Sequence, residues 1–172
     1  MMKKLLILGA GGYGKTIADV ASQLNCYDRI SFLDDQRTGD HILGKCEEYL
    51  QFCDSETEVY PAFGGGSIRM MWIHRLLEAH ITIPSLIHPR AYVSPTAKLG
   101  SGVVVLPMAV VNTGVTVEEG CIINIGALID HDSVIGEGTH LAPGAIVKAE
   151  NRIPSMEKVE SGRVIENREY PL

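Results

Sequence analysis

Nowhere in these 172 residues do lysine and arginine cluster, and the fifteen present are outnumbered by twenty-one acidic residues, for a formal net charge of −6. Nucleic acids and anionic membranes demand dense cationic contacts, so neither is expected as a partner. Cysteine is scarce as well. Cys26, Cys46, Cys53 and Cys121 form no CxxC pair and no metal-like spacing with histidine. They read as free thiols in a reducing cytoplasm, and no metal is expected. No apolar run approaches the ~18 residues of a membrane span. The opening MMKKLLILGAGG sets two lysines before an apolar stretch, but LLIL is short for a signal peptide and runs straight into glycines. It reads better as a first buried strand. The expectation is a soluble cytoplasmic protein. With 45% hydrophobic and 21% charged residues the chain can bury a core, which excludes a disordered or fibrous one.

Two grammars divide the chain. Up to about residue 85, short apolar runs alternate with helical patterns. KKLLILG, RISFLDD and VYPAFGG read as strands. GGYGKTIADVASQLN reads as a helix with Ile17, Val20, Ala21 and Leu24 on one face, and SIRMMWIHRLLEAH as a second helix. Such alternation predicts a small parallel α/β, Rossmann-like unit over 1–85.

From residue 87 no helix is needed. Every sixth position from Ile87 to Ile165 is Ile, Leu or Val, fourteen times in succession. Four residues after each aliphatic, from Ala91 to Ala145, stand only small or β-branched residues. This is a hexapeptide repeat, which predicts a parallel β-helix: six residues make one flat strand and a corner, and three hexads close a triangular coil. At the corner position the rule then fails, with Asn151, Glu157, Arg163 and Glu169. A charged residue does not fit a cramped inner corner without a partner. Regular coils are therefore expected over 86–148, and an irregular cap over 149–172.

Two motifs bear chemistry. GAGGYG, Gly9 to Gly14, follows the first strand and opens the first helix, with Asp34 and Asp35 closing the second strand. The GxGxxG pattern is read either as a dinucleotide site, with phosphate at the helix N-terminus, or as a tight strand-to-helix turn without a ligand. In IDHDSV, His131 lies between Asp130 and Asp132. Mid-strand placement, with Ile129 and Ser133 inward, puts His131 on the outer surface. There it is either a plain surface residue or a general base supported by neighbouring carboxylates. His140, half a coil away, falls on a different face. A three-fold assembly would bring His131 of one subunit to His140 of the next, which predicts a homotrimer. His88 before Pro89 reads as structural, and Cys121 as inward and inert.

These pieces together resemble the two-domain sugar acetyltransferases of bacterial surface-glycan synthesis: sialic-acid O-acetyltransferases and N-acetyltransferases of UDP-linked 4-amino sugars. GAGGYGK, FLDD, AFGGGSIR, SLIHPRAYVSPTAKLGSGV and IINIGALIDHDSVIGEGTHLAPGA occur here in the family's order. The resemblance implies a nucleotide-sugar acceptor, not NAD, in the N-terminal unit. It also implies a left-handed β-helix carrying acetyl-CoA at a trimer interface. It makes His131 the general base and Asp132 its tuning partner. Asn124 would shape the acceptor site, with Gly11, Gly12, Asp34 and Asp35 lining the acceptor cleft, and His140 and Gly144 lying on the acetyl-CoA side. Tyr13 stands where many members have histidine. Members also continue for several coils beyond the His140 region, whereas this chain passes into KAENRIPSMEKVESGRVIENREYPL. That departure favours, as the alternative, a nucleotide-sugar-binding regulatory relative without productive CoA binding.

Overall fold

The computed structural model describes residues 3–172; Met1 and Met2, the first residues of the expected 1–85 unit, lie outside the described residues. It divides into two compact units, the first ending at Pro84 and the second running from Ser85 to Leu172.

In the first unit β1 (Lys3–Leu8) leads into α1 (Gly12–Gln23), followed by β2 (Tyr27–Leu33) and β3 (Ile42–Gly44). A 3₁₀ helix (Cys46–Phe52), β4 (Thr57–Pro61) and α2 (Gly66–Glu78) complete it. The sheet is parallel with order β3-β2-β1-β4. Successive strand residues face opposite ways. Leu6 and Leu8 pack with Tyr49, Met70, Trp72, Ile73 and Leu76, while Leu5 and Ile7 are buried on the side of α1, whose Ile17, Val20 and Ala21 are buried too. Sequence reading missed β3. Its three residues are half-buried to exposed and carry no alternation long enough to register.

The strand order reverses at β1, since β2 follows on one side and β4 on the other. Loops diverge there at the carboxyl ends of the strands and open a cleft, the usual ligand position in such sheets. The turn into α1 depends on Gly14: a Cβ there would lie 1.9 Å from the Gly9 carbonyl oxygen, so only glycine lets helix and strand approach so closely.

The second unit is a left-handed parallel β-helix of fourteen two-residue strands. One face stacks Leu86–Ile87, Val104–Val105, Ile122–Ile123, His140–Leu141 and Lys158–Val159. A second stacks Tyr92–Val93, Val110–Val111, Leu128–Ile129, Ile146–Val147 and Val164–Ile165, and a third Lys98–Leu99, Thr116–Val117, Val134–Ile135 and Arg152–Ile153. The fourteen periodic aliphatics are the second residues of these strands. From Val105 to Ile165 they fill the prism at no more than 1% exposure, apart from the flanking Ile87, Val93 and Leu99, which pack against them. Each coil hands its backbone groups to the next, as when Ile122 N donates to Thr139 O (2.9 Å) and Asn124 N to Leu141 O (3.0 Å).

Regular coils do not stop at 148. Strands at Arg152–Ile153, Lys158–Val159 and Val164–Ile165 continue all three faces to Ile165, where an irregular cap had been expected. The polar corners are accommodated in two ways. Asn151 is fully buried, and its Nδ2 donates to Lys148 O and Glu166 O (both 2.8 Å) while its Oδ1 accepts from Tyr170 N (2.8 Å). Arg163 and Glu169 lie exposed in the last coil and pair at 3.0 Å, so neither charge is desolvated without a partner.

Candidate active site

The cleft at the strand ends of the first unit encloses about 500 Å³ between the loops 9–13, 34–37 and 62–65. Gly11, Gly12, Tyr13, Asp34 and Asp35 all line it, and so do Arg37, Phe63, Gly64 and Gly65. Asp34 is buried at 6% exposure, and its carboxylate is an organiser of the loops. Oδ2 accepts from Ala10 N (2.7 Å), and Oδ1 from Gln36 N (2.9 Å) and Arg37 N (2.7 Å). Burial alone would push its pKa up, but these three N–H groups and the Arg37 guanidinium outweigh it and hold the pKa below the usual carboxylate value. With both oxygens engaged by main chain, Asp34 ties the loops 9–13 and 34–37 together at the mouth of the cleft. Asp35 likewise accepts from Cys46 N (3.0 Å). Tyr13 and Tyr60 join hydroxyl to hydroxyl at 2.9 Å across the glycine loop.

Arg69 was not anticipated from the sequence. It is fully buried on α2, and its guanidinium donates to Phe63 O (2.7 Å) and Gly64 O (3.0 Å), fixing the far wall of the cleft. Replacing Asp34 by alanine is expected to lower unfolding stability by roughly 2 kcal/mol, because buried N–H donors would lose their acceptor. Chemical denaturation of the purified variant measures this, and an unchanged midpoint would show that water replaces the carboxylate without cost.

In the β-helix, His131 sits in the turn between Leu128–Ile129 and Val134–Ile135, not mid-strand as the hexad reading placed it. The two strand residues of each hexad are its aliphatic and the residue before it; the residues after it already bend round the corner. The expected outward position nevertheless holds, with the side chain 50% exposed. Nδ1 pairs with Asp132 Oδ2 at 2.9 Å. An ionised carboxylate only accepts, so this contact assigns the proton to Nδ1 and leaves the Nε2 lone pair to face outward. The Asp132 hydrogen bond, with the charges of Asp130, Asp132 and Glu150 adding to it, outweighs desolvation and raises the His131 pKa above that of an ordinary imidazole.

The backbone is held from both sides of the stack. Asp132 N donates to Thr113 O (3.0 Å) in the coil below, and Glu150 N from the coil above donates to His131 O (3.2 Å). Asp130 Oδ1 accepts from His131 N (2.7 Å) and from Asn112 Nδ2 (3.0 Å), one coil down. This Asn112–Asp130 support also went unseen in the sequence, although an offset of eighteen residues between stacked strands would have exposed it.

His140 begins a strand on the face opposite the His131 corner, so one chain does not bring the two histidines together. The structure pairs His140 with Asn124 instead. Asn124 Oδ1 accepts from Ile125 N (2.8 Å), which makes Nδ2 the donor to His140 Nε2 (3.0 Å). Gly144 follows in the next turn, where its N donates to Ile125 O (2.9 Å). Cys121 is buried, with its thiol 3.1 Å from Gly136 O. His88 is also buried, and its Nδ1 accepts from Arg90 N (3.0 Å) in a structural turn. Among the described residues no group of three His, Cys, Asp or Glu could hold a metal ion, and no helix is long and apolar enough to cross a membrane.

The arrangement places an exposed imidazole bonded to a carboxylate on a corner of one unit and, in the other, a glycine-lined cleft. Residues 4–76 match the PglD N-terminal domain family. No curated protein matches the chain at a significant level. Among solved structures, the acetyltransferase domain of PglB from Neisseria gonorrhoeae FA1090 matches with a TM-score of 0.94 and 32% identity, over 96% of this chain and 83% of that one. The same domain in complex with acetyl coenzyme A matches with the same score and identity, over 98% and 84%. PerB from Caulobacter crescentus, in complex with CoA and GDP-perosamine, shares the fold with a TM-score of 0.82 at 22% identity, over 97% and 90%. WeeI from Acinetobacter baumannii AYE shares it with a TM-score of 0.85 at 21% identity, over 100% and 85%. With the PglB domain aligned along nearly its whole length, the chain belongs to the sugar acetyltransferase family.

Proposed function

We propose that the protein moves an acetyl group from acetyl-CoA to an amino or hydroxyl group of a nucleotide-linked sugar, as a homotrimer, with His131 as general base and Asp132 setting its tautomer and basicity. Enzyme class and co-substrate follow from the family: this is an acetyl-CoA-dependent sugar acetyltransferase. The observation that carries the catalytic assignment is the His131–Asp132 hydrogen bond, which leaves Nε2 as an outward lone pair. Nε2 takes the proton of the acceptor N–H or O–H as the acceptor atom bonds to the thioester carbon. The C–S bond then breaks, and the departing CoA sulfur is protonated by the imidazolium. No covalent enzyme intermediate is needed, in keeping with the buried Cys121.

The acceptor is assigned to the glycine cleft of the first unit, where bare backbone and the N-terminus of α1 suit a phosphate-bearing ligand. PerB, of the same fold, was solved with GDP-perosamine alongside CoA. Support for the trimer comes from the second face of the prism. Its outward residues Tyr92, Val110, Leu128, Ile146 and Val164 are apolar in every coil, and Tyr92, Leu128 and Val164 are exposed. A second copy covering this stripe would meet the protein beside His131, which closes the same face. In a cyclic assembly the apposed patch belongs to a different side of the neighbour, and the side bearing His140 is the one assigned here to acetyl-CoA. The regulatory alternative rested on the departure from the family after the His140 region; there the coils run on to Ile165, further than expected.

The test is thiol release from acetyl-CoA with a panel of nucleotide-linked amino sugars, followed across pH. Protonated His131 cannot accept a proton, and its pKa is raised. kcat/KM should therefore fall with acidity through an apparent pKa above the ordinary imidazole value of about 6.5. Asp132→Asn removes the strongest support for the imidazolium, so it should move this limb to lower pH and reduce the plateau. An acid limb that ignores Asp132→Asn would detach the pair from the chemistry.

A further inference from the structure

Asp132 can bond His131 only if nothing in the coil beneath occupies the space of its carboxylate. In register below it stands Gly114, with φ +71° in the left-handed region. A Cβ on Gly114 would lie 2.4 Å from Asp132 Oδ1 and 3.5 Å from its carboxyl carbon. Both oxygens of a carboxylate share one rigid plane. Turning Oδ1 away from that Cβ would therefore swing Oδ2 out of its 2.9 Å contact with His131 Nδ1. Nor can the two levels separate freely. Asp132 N is bonded to Thr113 O at 3.0 Å, and Gly114 N to Thr96 Oγ1 of the coil below at 3.0 Å. Other left-handed corner glycines differ: at Gly126 (φ +66°) and Gly162 (φ +69°) a Cβ would meet nothing within 4 Å. Those positions want glycine for their backbone alone, whereas at Gly114 a neighbouring side chain also fills the vacant volume.

We propose that Gly114 is a positioning residue for the His131–Asp132 pair: its missing side chain is the seat of the Asp132 carboxylate, and any side chain there uncouples the two. For its effect on turnover this inference rests on His131 being the base; for its effect on the imidazole it does not. The charged groups facing His131 are Asp130 and Asp132 from its own turn and Glu150 from the coil above. Glu150 is itself paired with Arg168. The coil below contributes Asn112, Thr113 and Gly114, all uncharged. Displacing Asp132 thus removes the one acid of the three that is hydrogen-bonded to the imidazole ring.

The experiment is an NMR titration of the His131 ring in the full-length protein, comparing wild type with Gly114→Ala, Gly114→Asn, Asp132→Asn and Gly162→Ala. Asn is included because it adopts positive φ more readily than Ala while still carrying a Cβ. Both Gly114 variants should lower the His131 pKa toward about 6.5, as far as Asp132→Asn does, while Gly162→Ala leaves it at the wild-type value. Turnover in the Gly114 variants should fall about tenfold or more, with the acid limb shifted to match. An unchanged pKa in a folded Gly114 variant overturns the proposal. So does an equal drop in Gly162→Ala, which would assign the effect to backbone strain. Failure of both Gly114 variants to fold where Gly162→Ala folds would overturn it in favour of a purely structural role. If His131→Ala keeps its turnover, the base assignment fails, while the ring titration still reports whether Gly114 seats Asp132.

Discussion

His131→Ala is expected to lower kcat by about 10²–10⁴-fold, the usual loss when a positioned general base is removed. The KM for acetyl-CoA should move little, because in the proposed reaction the imidazolium meets the CoA sulfur only as the C–S bond breaks and not in the bound ground state. The fold should tolerate the change. The ring is half exposed and hydrogen-bonded to Asp132. The hydrogen bonds that seat the turn, His131 N to Asp130 and Glu150 N to His131 O, involve main-chain atoms that alanine retains. Steady-state kinetics beside a thermal melt measures both halves. A loss of less than about threefold would remove His131 from the proton transfer.

The second large effect is expected at Leu128→Glu. Leu128 is the outward residue at the middle of the apolar stripe, two residues before Asp130 and next to the His131 turn. If a second copy covers the stripe, each subunit loses the burial of the 38% of Leu128 still exposed, roughly 1 kcal/mol. A carboxylate would be forced into the contact as well, at further cost. Both act at every interface of a cyclic trimer, so the variant should sediment as a monomer. The side chain points away from the prism interior, so far-UV circular dichroism should remain that of a folded β-helix. Turnover should collapse together with assembly. An unchanged sedimentation coefficient would show that the stripe is not where subunits meet.

What the sequence made legible follows from how local each constraint is. The β-helix repeats its demand for an inward aliphatic at every sixth residue from Ile87 to Ile165, so its core could be read off directly. The glycine loop and Asp34 were visible for similar reasons, since a strand-to-helix turn needs particular residues at adjacent positions. Less legible were contacts joining different levels of the stack or distant loops. Asn112 reaches Asp130 and Gly114 makes room for Asp132 only through stacking. Arg69 grips carbonyls that precede its own helix, and its burial is invisible in a residue type that is usually exposed. The final coil was misjudged because polar corners were taken as breakers. Asn151 instead supplies hydrogen bonds where a small apolar residue would supply packing.

Stacked strands in the prism are offset by eighteen residues, as Ile122 is from His140 and Val110 from Leu128. That offset quantises the changes of length the chain can absorb. Gaining or losing one residue between Asn112 and Asp130 would throw every following aliphatic out of phase with the interior. Removing one hexad would keep the interior in phase, yet rotate all later residues onto the next face and carry the His131 corner away from the apolar stripe. Removing three hexads together restores both the interior and the face, and changes only which residues lie beneath the His131 turn. Lineages of this fold should therefore vary in length by whole coils below Thr96, while the four levels from Thr96 through Glu150 travel as one indivisible block.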